Sequence, residues 1–362
     1  MKALILAGGF GTRLRPLSCT RPKSLFPIIN KPLLQWTFER LAQNGIKEAI
    51  LAVNKQTEIL IKQHRIRKCG LHVIYSLDPP KTPLGTGGPV KKAEKLIGHD
   101  SPFLVLNGDI FADVSYTEIL KEHAENKAVA TIAIHKVEDP SRFGVAELVD
   151  GKRIKRFIEK PRKEEAPTNL INAGVYALSP EIFNYIPSGR MVSLEREIFP
   201  KLAEEGKLCG YIFNGLWSDV GKPEDYMEIN KLLLNSDANK CRRKIMCKGK
   251  IVEPVALDKG VSIDEKSIVG PYTVLGRNVE VGREARIRNA IIFPETTVSD
   301  YASIDNAIIG EHVVIGMKAK IGGGCILADG VKVRDGVSLV RNILVCPAKE
   351  VTDNTTICKC II

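Results

Sequence analysis

Ile309-Gly310-Glu311-His312-Val313-Val314-Ile315-Gly316-Met317-Lys318-Ala319-Lys320-Ile321-Gly322-Gly323-Gly324-Cys325-Ile326-Leu327 places one aliphatic residue at every sixth position. A helix, with a period of about 3.6, does not produce that spacing, and neither does a half-buried strand, with a period of about two. A six-residue repeat signals a parallel β-helix, in which each repeat lays one short strand on a flat wall and turns a corner. The ladder residue points inward, and the glycine after it accommodates the turn. Upstream the ladder runs through Leu257, Ile263, Val269, Leu275, Val281 and Ile287, with Phe293 continuing the phase. Downstream it runs through Val333, Leu339, Val345, Val351 and Ile357. Glycine follows the ladder residue at Gly270, Gly276, Gly282, Gly310, Gly316 and Gly322. The phase slips by four residues between the two runs, which predicts an insertion or skipped position near 299–307.

Upstream of this region the pattern is different. Short apolar runs at Ala3–Leu6, Ala49–Val53, His72–Tyr75, Phe103–Leu106 and Val129–His135 alternate with helical patterns at Leu33–Asn44, from Thr57, and at Ser115–Asn126. Strands alternating with helices predict an α/β, Rossmann-like domain with a mainly parallel sheet. Ligands of such sheets bind beyond the carboxyl ends of the strands. The turn at Gly8 and the sequence Asn107-Gly108-Asp109 both fall at such ends. Three segments are therefore expected: an α/β domain over 1–234, a linker over 235–250 and a β-helix domain over 251–362. The linker is polar and basic, with Arg242-Arg243-Lys244, and reads as a solvated charge run.

With 362 residues, 44% hydrophobic and 26% charged, the chain has the composition of an ordinary globular protein too long for one core. The net charge of +11 suits anionic substrates as well as nucleic acid. Aromatics make up only 6%, and zinc-finger spacing and RNA-binding aromatic motifs are absent, so no nucleic-acid partner is expected. Nine cysteines, an odd number in a large chain, point to a reducing cytoplasmic location. Cys358-Lys-Cys360 has metal-ligand character but lacks a second pair. Met1–Ala7 is too short for a signal peptide, and no stretch is long enough to span a bilayer, so no membrane partner is expected.

The chemistry is concentrated near the N-terminus, in Leu6-Ala7-Gly8-Gly9-Phe10-Gly11-Thr12-Arg13-Leu14-Arg15-Pro16 and the following Pro22-Lys23. Closely spaced glycines after a strand let backbone N–H groups approach a polyphosphate. The spacing fits neither the Walker P-loop nor the dinucleotide fingerprint, and a glycine turn alone could have no chemical role. Arg13, Arg15, Arg21 and Lys23, however, crowd one loop, and such a cluster is repulsive unless an anion or solvent compensates it.

Leu6 to Lys23 resembles the signature of the sugar-phosphate nucleotidyltransferases. The resemblance continues through Pro83-Leu84-Gly85-Thr86-Gly87-Gly88-Pro89, Asn107-Gly108-Asp109, Phe157-Ile158-Glu159-Lys160-Pro161, Asn172-Ala173-Gly174 and Trp217-Ser218-Asp219-Val220-Gly221. It covers essentially the whole chain, because many members append a left-handed β-helix. It implies that Leu6, Ala7, Gly8, Gly9, Gly11, Thr12, Arg13, Lys23, Gly85, Gly87, Gly88 and Asp109 bind the nucleotide. It also implies that Gly144, Glu159, Lys160, Asn172 and Gly174 line the sugar-phosphate pocket. Arg13, Lys23 and Lys160 would be catalytic, and Asp109 and Asp219 would share Mg²⁺, a hard ion that favours oxygen ligands. Taken singly, each aspartate could equally cap a turn. The implied reaction is attack of a sugar 1-phosphate oxygen on the α-phosphorus of a nucleoside triphosphate (NTP), with pyrophosphate leaving in line.

Within the family the chain is most similar to the GDP-mannose pyrophosphorylases, through Pro83–Pro89 and the run Leu194–Leu208. That similarity favours GTP and mannose 1-phosphate as substrates, with glucose-1-phosphate uridylyl or thymidylyl transfer as the alternative. β-Helices of this repeat also form acyltransferases, and His312 is the only histidine beyond Val255. Another reading makes the chain a non-catalytic regulatory subunit, although the intact charged residues argue against it. The β-helix is further expected to mediate homo-oligomerisation.

Overall fold

The computed structural model describes residues 1–9, 11–79, 83–236, 246–355 and 360–361. Arg242-Arg243-Lys244, most of the linker, Ile357 and Cys358 lie outside the described residues. The chain packs as two compact units. The first comprises Met1–Gly9, Lys23–Leu25 and Leu33–Asp219, and the second comprises Phe10–Pro22, Phe26–Pro32 and Val220–Ile362.

The first unit is built on a nine-stranded sheet. Its strand order is His72–Leu77, Glu48–Val53, Lys2–Leu6, Phe103–Asn107, Leu170–Leu178, Ala130–Lys136, Leu208–Ile212, Arg153–Glu159, Gly144–Val149. The first four are mutually parallel, and Ala3, Leu4 and Ile5 are fully buried, as expected where a sheet is covered on both faces. The helix Leu33–Gln43 packs Leu34, Phe38 and Leu41 onto this half and ends before Gly45, whose φ is 73°. The helices Lys55–Gln63 and Tyr116–Glu125 start on the side chains of Asn54 and Ser115, which accept from Thr57 N and Glu118 N.

The sheet is mixed rather than mainly parallel. Leu170–Leu178 runs antiparallel to both its neighbours, and Gly144–Val149 and Arg153–Glu159 form a hairpin. At the hairpin turn Asp150 and Gly151 have φ of 52° and 70°, the left-handed geometry of a tight connection that reverses the chain.

The second unit is a parallel β-helix with three walls of short strands. One wall stacks seven strands, from Met246–Cys247 to Glu350–Val351, with Ile263 beside Val281, Val298 beside Ile315 and Val333 beside Val351. The other walls carry Val269, Ile287, Ile304, Ile321 and Leu339, and Leu275, Ile292, Ile309, Leu327 and Val345. These side chains form one continuous buried interior.

The register corrects the expected phase. The ladder residue after Ile287 is Ile292, not Phe293, and Val298 and Ile304 then lead to Ile309. The slip is therefore two steps shortened by one residue, at Ile287 to Ile292 and at Ile304 to Ile309, and no insertion is present. The shortening turns Phe293 out of the interior.

The role expected of the glycines also changes. The left-handed corner lies three residues before each ladder position and is taken by such residues as Lys266, Asn278, His312 and Lys318, as well as Gly324 and Gly330. The glycine after a ladder residue answers instead to close approach by the next coil. A Cβ on Gly276 would lie 2.6 Å from Pro294 N, and one on Gly316 would lie 2.6 Å from Asp335 N.

The N-terminal segments of this unit pack on the outward-facing side of the short step. Phe26 makes edge contacts with Tyr226 and Phe293, with centroids 5.6 and 6.2 Å apart. Ile29 N donates to Asn230 Oδ1, in the helix Pro223–Asn235, and Asn30 Nδ2 donates to Leu275 O, both at 2.9 Å. No helix among the described residues is long and apolar enough to cross a membrane.

Because Ile315 is fully buried and its neighbour Val314 is exposed, Ile315→Ala should cost about 2–5 kcal/mol. Val314→Ala should change stability by no more than about 0.5 kcal/mol. Denaturant unfolding of the two variants separates these outcomes.

Candidate functional site

The parallel register assembles one end of the first unit. Leu6 pairs with Ala52 on one side and Asn107 on the other, so the ends of three strands coincide. Ala7 N donates to Ala52 O and Gly108 N donates to Leu6 O, both at 2.9 Å, while Asn54 Nδ2 reaches Gly8 O at 3.3 Å. Gly8 and Gly9 therefore emerge beside Asp109. Lys23, almost fully buried, donates from Nζ to Asp109 Oδ2 at 2.9 Å.

The next strand end adds Asp78, which the sequence reading did not single out. A Cβ on Gly8 would lie 2.9 Å from Asp78 Oδ2, so the absence of a side chain there makes room for the carboxylate. Asp78 Oδ1 is buried without a hydrogen-bond partner, and burial raises the carboxyl's pKa above its ordinary value.

Trp217–Asp219 pairs antiparallel with Ile110–Ala112, and Asp219 stands opposite Ile110. Trp217 Nε1 donates to Ala173 O at 3.0 Å and anchors this turn. Asp219 thus stands opposite the residue that follows Asp109, although the two segments are far apart in sequence. The oxygens of the two aspartates suit a hard divalent cation, and the Lys23 ammonium already rests on one of them. Among the described residues no group of three metal-ligating side chains gathers anywhere.

The sugar-phosphate motifs also converge. Glu159 stands opposite Gly144 in the hairpin, and a Cβ on Gly144 would lie 2.9 Å from Glu159 Oε2. Lys160 N donates to Phe143 O at 3.0 Å, and its half-exposed side chain lies 3.5 Å from Glu159 Oε1. Asn172 Oδ1 accepts from Gly174 N at 2.8 Å, holding a bulge in which Gly174 has a φ of 72°. Asn172 Nδ2 donates to the Tyr176 hydroxyl at 3.0 Å, and that hydroxyl donates to Glu195 Oε1 at 3.3 Å. Thr86 Oγ1 donates to the other oxygen of Glu195 and accepts from Leu194 N at 2.9 Å. Burial, and after it the Glu195 carboxylate, push the Glu159 carboxyl above the usual range against the pull of Lys160.

Tyr176 and Glu195 were missed because their sequence signals are ordinary. Tyr176 reads as one more core aromatic, and Glu195 in Leu-Glu-Arg-Glu reads as a solvated helix face. Gly85, Gly87 and Gly88 stand in the same assembly, with Gly87 N donating to Val192 O at 2.8 Å and Gly85 at a φ of 70°.

Gly11, Thr12 and Arg13 belong to the other compact unit. Gly11 takes a φ of 60° and starts a short turn in which Leu14 N donates to Gly11 O, leaving Thr12 and Arg13 exposed. Arg21, one of the clustered cations, is buried and paired with protein carboxylates. His312 occupies a left-handed corner of the β-helix, with φ of 54°.

The Nucleotidyl transferase family matches residues 2–236, and the GMPPB C-terminal domain matches residues 251–361. Mannose-1-phosphate guanylyltransferase 1 of Arabidopsis thaliana is 35% identical over 357 residues, covering 98% of each chain. Mannose-1-phosphate guanyltransferase of Candida albicans is 37% identical over 362 residues, again covering 98% of each. A UDP-glucose pyrophosphorylase solved with UDP-glucose superposes with a TM-score of 0.55 at 27% identity, covering 64% of this chain and 97% of that one. HddC of Yersinia pseudotuberculosis gives a TM-score of 0.55 at 28% identity, covering 64% and 99%. These matches, over most of the chain and to full-length relatives at 35% and 37% identity, show that this chain belongs to the nucleotidyl transferase family, as a sugar-1-phosphate nucleotidyltransferase carrying a C-terminal domain of the GMPPB type.

Proposed function

We propose that the protein transfers GMP from GTP to mannose 1-phosphate, releasing pyrophosphate and forming GDP-mannose. The observation that carries this reading is the chain of hydrogen bonds Asn172–Tyr176–Glu195–Thr86, which ties the sugar-phosphate motif to the glycine-rich nucleotide motif. The relatives, named for guanylyl transfer to mannose 1-phosphate and similar along their whole length, support the choice of substrates. Asp78 supports the base: a carboxylate accepts two hydrogen bonds, and guanine presents N1–H and N2–H₂ side by side.

The nucleophile, a phosphate oxygen, is already anionic, so the protein needs to supply position and positive charge more than a general base. Gly8, Gly9 and the following Gly11–Arg13 turn would hold the triphosphate through backbone N–H groups and the guanidinium. Lys23 would exchange Asp109 for phosphate oxygens as the substrate arrives. Lys160 would hold the sugar phosphate, while Glu159 and Asn172 accept from and donate to sugar hydroxyls. Asp109 and Asp219 would hold Mg²⁺, which when bound supplies charge neutralisation at the reacting phosphates.

Pyrophosphate release measured over a grid of nucleotides and sugar phosphates should be greatest with GTP and mannose 1-phosphate. Asp78→Ala should erode the preference for GTP over UTP; inactivity with GTP and mannose 1-phosphate, alongside activity with another pair, overturns the substrate choice. Asp109→Asn and Lys23→Ala should each lower turnover about a hundredfold, and wild-type-like rates in the purified variants would remove both from the mechanism.

Glu159 carries a raised pKa in the folded state, so its ionised form is disfavoured there. Above the folded pKa, Glu159→Gln should therefore raise the melting temperature while lowering activity. As pH falls through the folded pKa toward the unfolded value of about 4.3, wild type recovers and the gain disappears. Melting curves at neutral and acidic pH read this directly.

A further inference from the structure

The cluster of cations in the N-terminal loop includes one that no substrate needs to neutralise. Arg21 is only 5% exposed, and its Nη2 lies 2.7 Å from Glu311 Oε2 and 3.0 Å from Asp329 Oδ2. Its guanidinium also lies 4.8 Å from the centroid of the Phe293 ring, the side chain turned outward by the short coil step. Thr20 Oγ1 donates to the same Asp329 oxygen at 2.7 Å.

One of the receiving carboxylates, that of Asp329, is also held by the coil itself. Glu311 and Asp329 stand on successive coils, and Asp329 Oδ1 accepts from Glu311 N at 2.8 Å. Asp335 makes the same bond to Met317 N at 2.7 Å, so the aspartate is a regular corner element of the coil. At Asp329 the second oxygen is used to hold a different part of the chain. Removing one member of such a buried pair leaves the other charge uncompensated, so the contact is not a casual surface ion pair.

The segment held in this way is the one that bears Gly11, Thr12 and Arg13. Within the segment the chain forms short turns and the bond from Ser18 Oγ to Gly11 O at 2.7 Å, and Leu14 and Leu17 are buried. We propose that Arg21 is a positioning residue that clamps the phosphate-binding segment to Glu311 and Asp329, so that the β-helix domain sets the conformation of the triphosphate loop. The C-terminal domain then acts on the reaction through this loop, without supplying a catalytic group of its own. The kinetic part rests on the proposed triphosphate role of Gly11–Arg13, whereas the clamp itself does not.

The experiment uses the full-length chain with Arg21→Met, Arg21→Lys and the milder Glu311→Gln, since Glu311 is partly exposed. Initial rates with GTP and mannose 1-phosphate should show the KM for the nucleotide raised roughly ten- to a hundredfold in Arg21→Met, with the KM for the sugar phosphate within about twofold. Arg21→Lys, which keeps the charge but loses the planar fork, should fall between wild type and Arg21→Met. Amide hydrogen exchange over residues 11–20 should quicken in Arg21→Met and Glu311→Gln, with the strand Phe103–Asn107 unchanged. Unaltered exchange over 11–20 in a folded variant overturns the clamp. Faster exchange with an unchanged nucleotide KM, or with both KM values raised equally, overturns its role in positioning. If wild type turns over no nucleotide–sugar pair, the functional reading fails, and the exchange data still decide the clamp.

Discussion

The strand Lys2–Leu6 lies in register between Glu48–Val53 and Phe103–Asn107, and most of the candidate site depends on that constraint. Parallel pairing makes the three strands end together, so their loops leave at one edge of the sheet. Gly8, Asn54 and Asp109 therefore meet without any of them having to search for the others. Asp78 joins at the next strand for the same reason. Because Ala3, Leu4 and Ile5 are buried on both faces, a slip of one residue would place no side chain on a better face, and the backbone ladder carries the register.

Charge is divided along the same lines. The N-terminal loop is strongly basic in sequence, but its cations have different partners in the fold. Lys23 rests on Asp109 and Arg21 on Glu311 and Asp329, while Arg13 is exposed at the tip of its turn. An arriving polyphosphate would compete for Lys23, whose partner is itself a proposed metal ligand. It would compete less readily for Arg21, which is buried and paired with two carboxylates of the coil. Two neighbouring basic residues thereby have separate partners, one at the carboxyl ends of the parallel strands and one on the coil.

The β-helix shows how a small irregularity becomes useful. In a perfect six-residue repeat every large apolar residue near the ladder would face inward or lie on a wall. The shortened step from Ile287 to Ile292 displaces Phe293 outward, where Phe26, Tyr226 and Arg21 cover it. The coil remains continuous because the interior positions are still filled by Ile292 and Ile309. A defect in the period thus creates the platform on which the N-terminal segments of that unit pack.

Both domain types were legible in the chain before any coordinates, because their signals are local and repeated. Period six in aliphatic residues admits only a β-helix, and alternating strands and helices with glycine at the strand ends admit an α/β sheet. The motifs from Gly8 to Asp219 carried the resemblance to the sugar-phosphate nucleotidyltransferases, and with it the expectation of a site for two anions. The hairpin at Asp150-Gly151 was also written locally, in the dipeptide its turn geometry favours, yet its consequence for the sheet depends on which strands it joins. What only the tertiary structure decided were contacts between residues far apart in the chain. Those are the support of Asn172 by Tyr176 and Glu195, the unpartnered oxygen of Asp78 beside Gly8, and the capture of Arg21 by Glu311 and Asp329. A half-buried glutamate and a solvated one, or a buried arginine and an exposed one, look the same in sequence. The difference lies in which distant backbone and side chains surround them, and a local pattern carries no record of that.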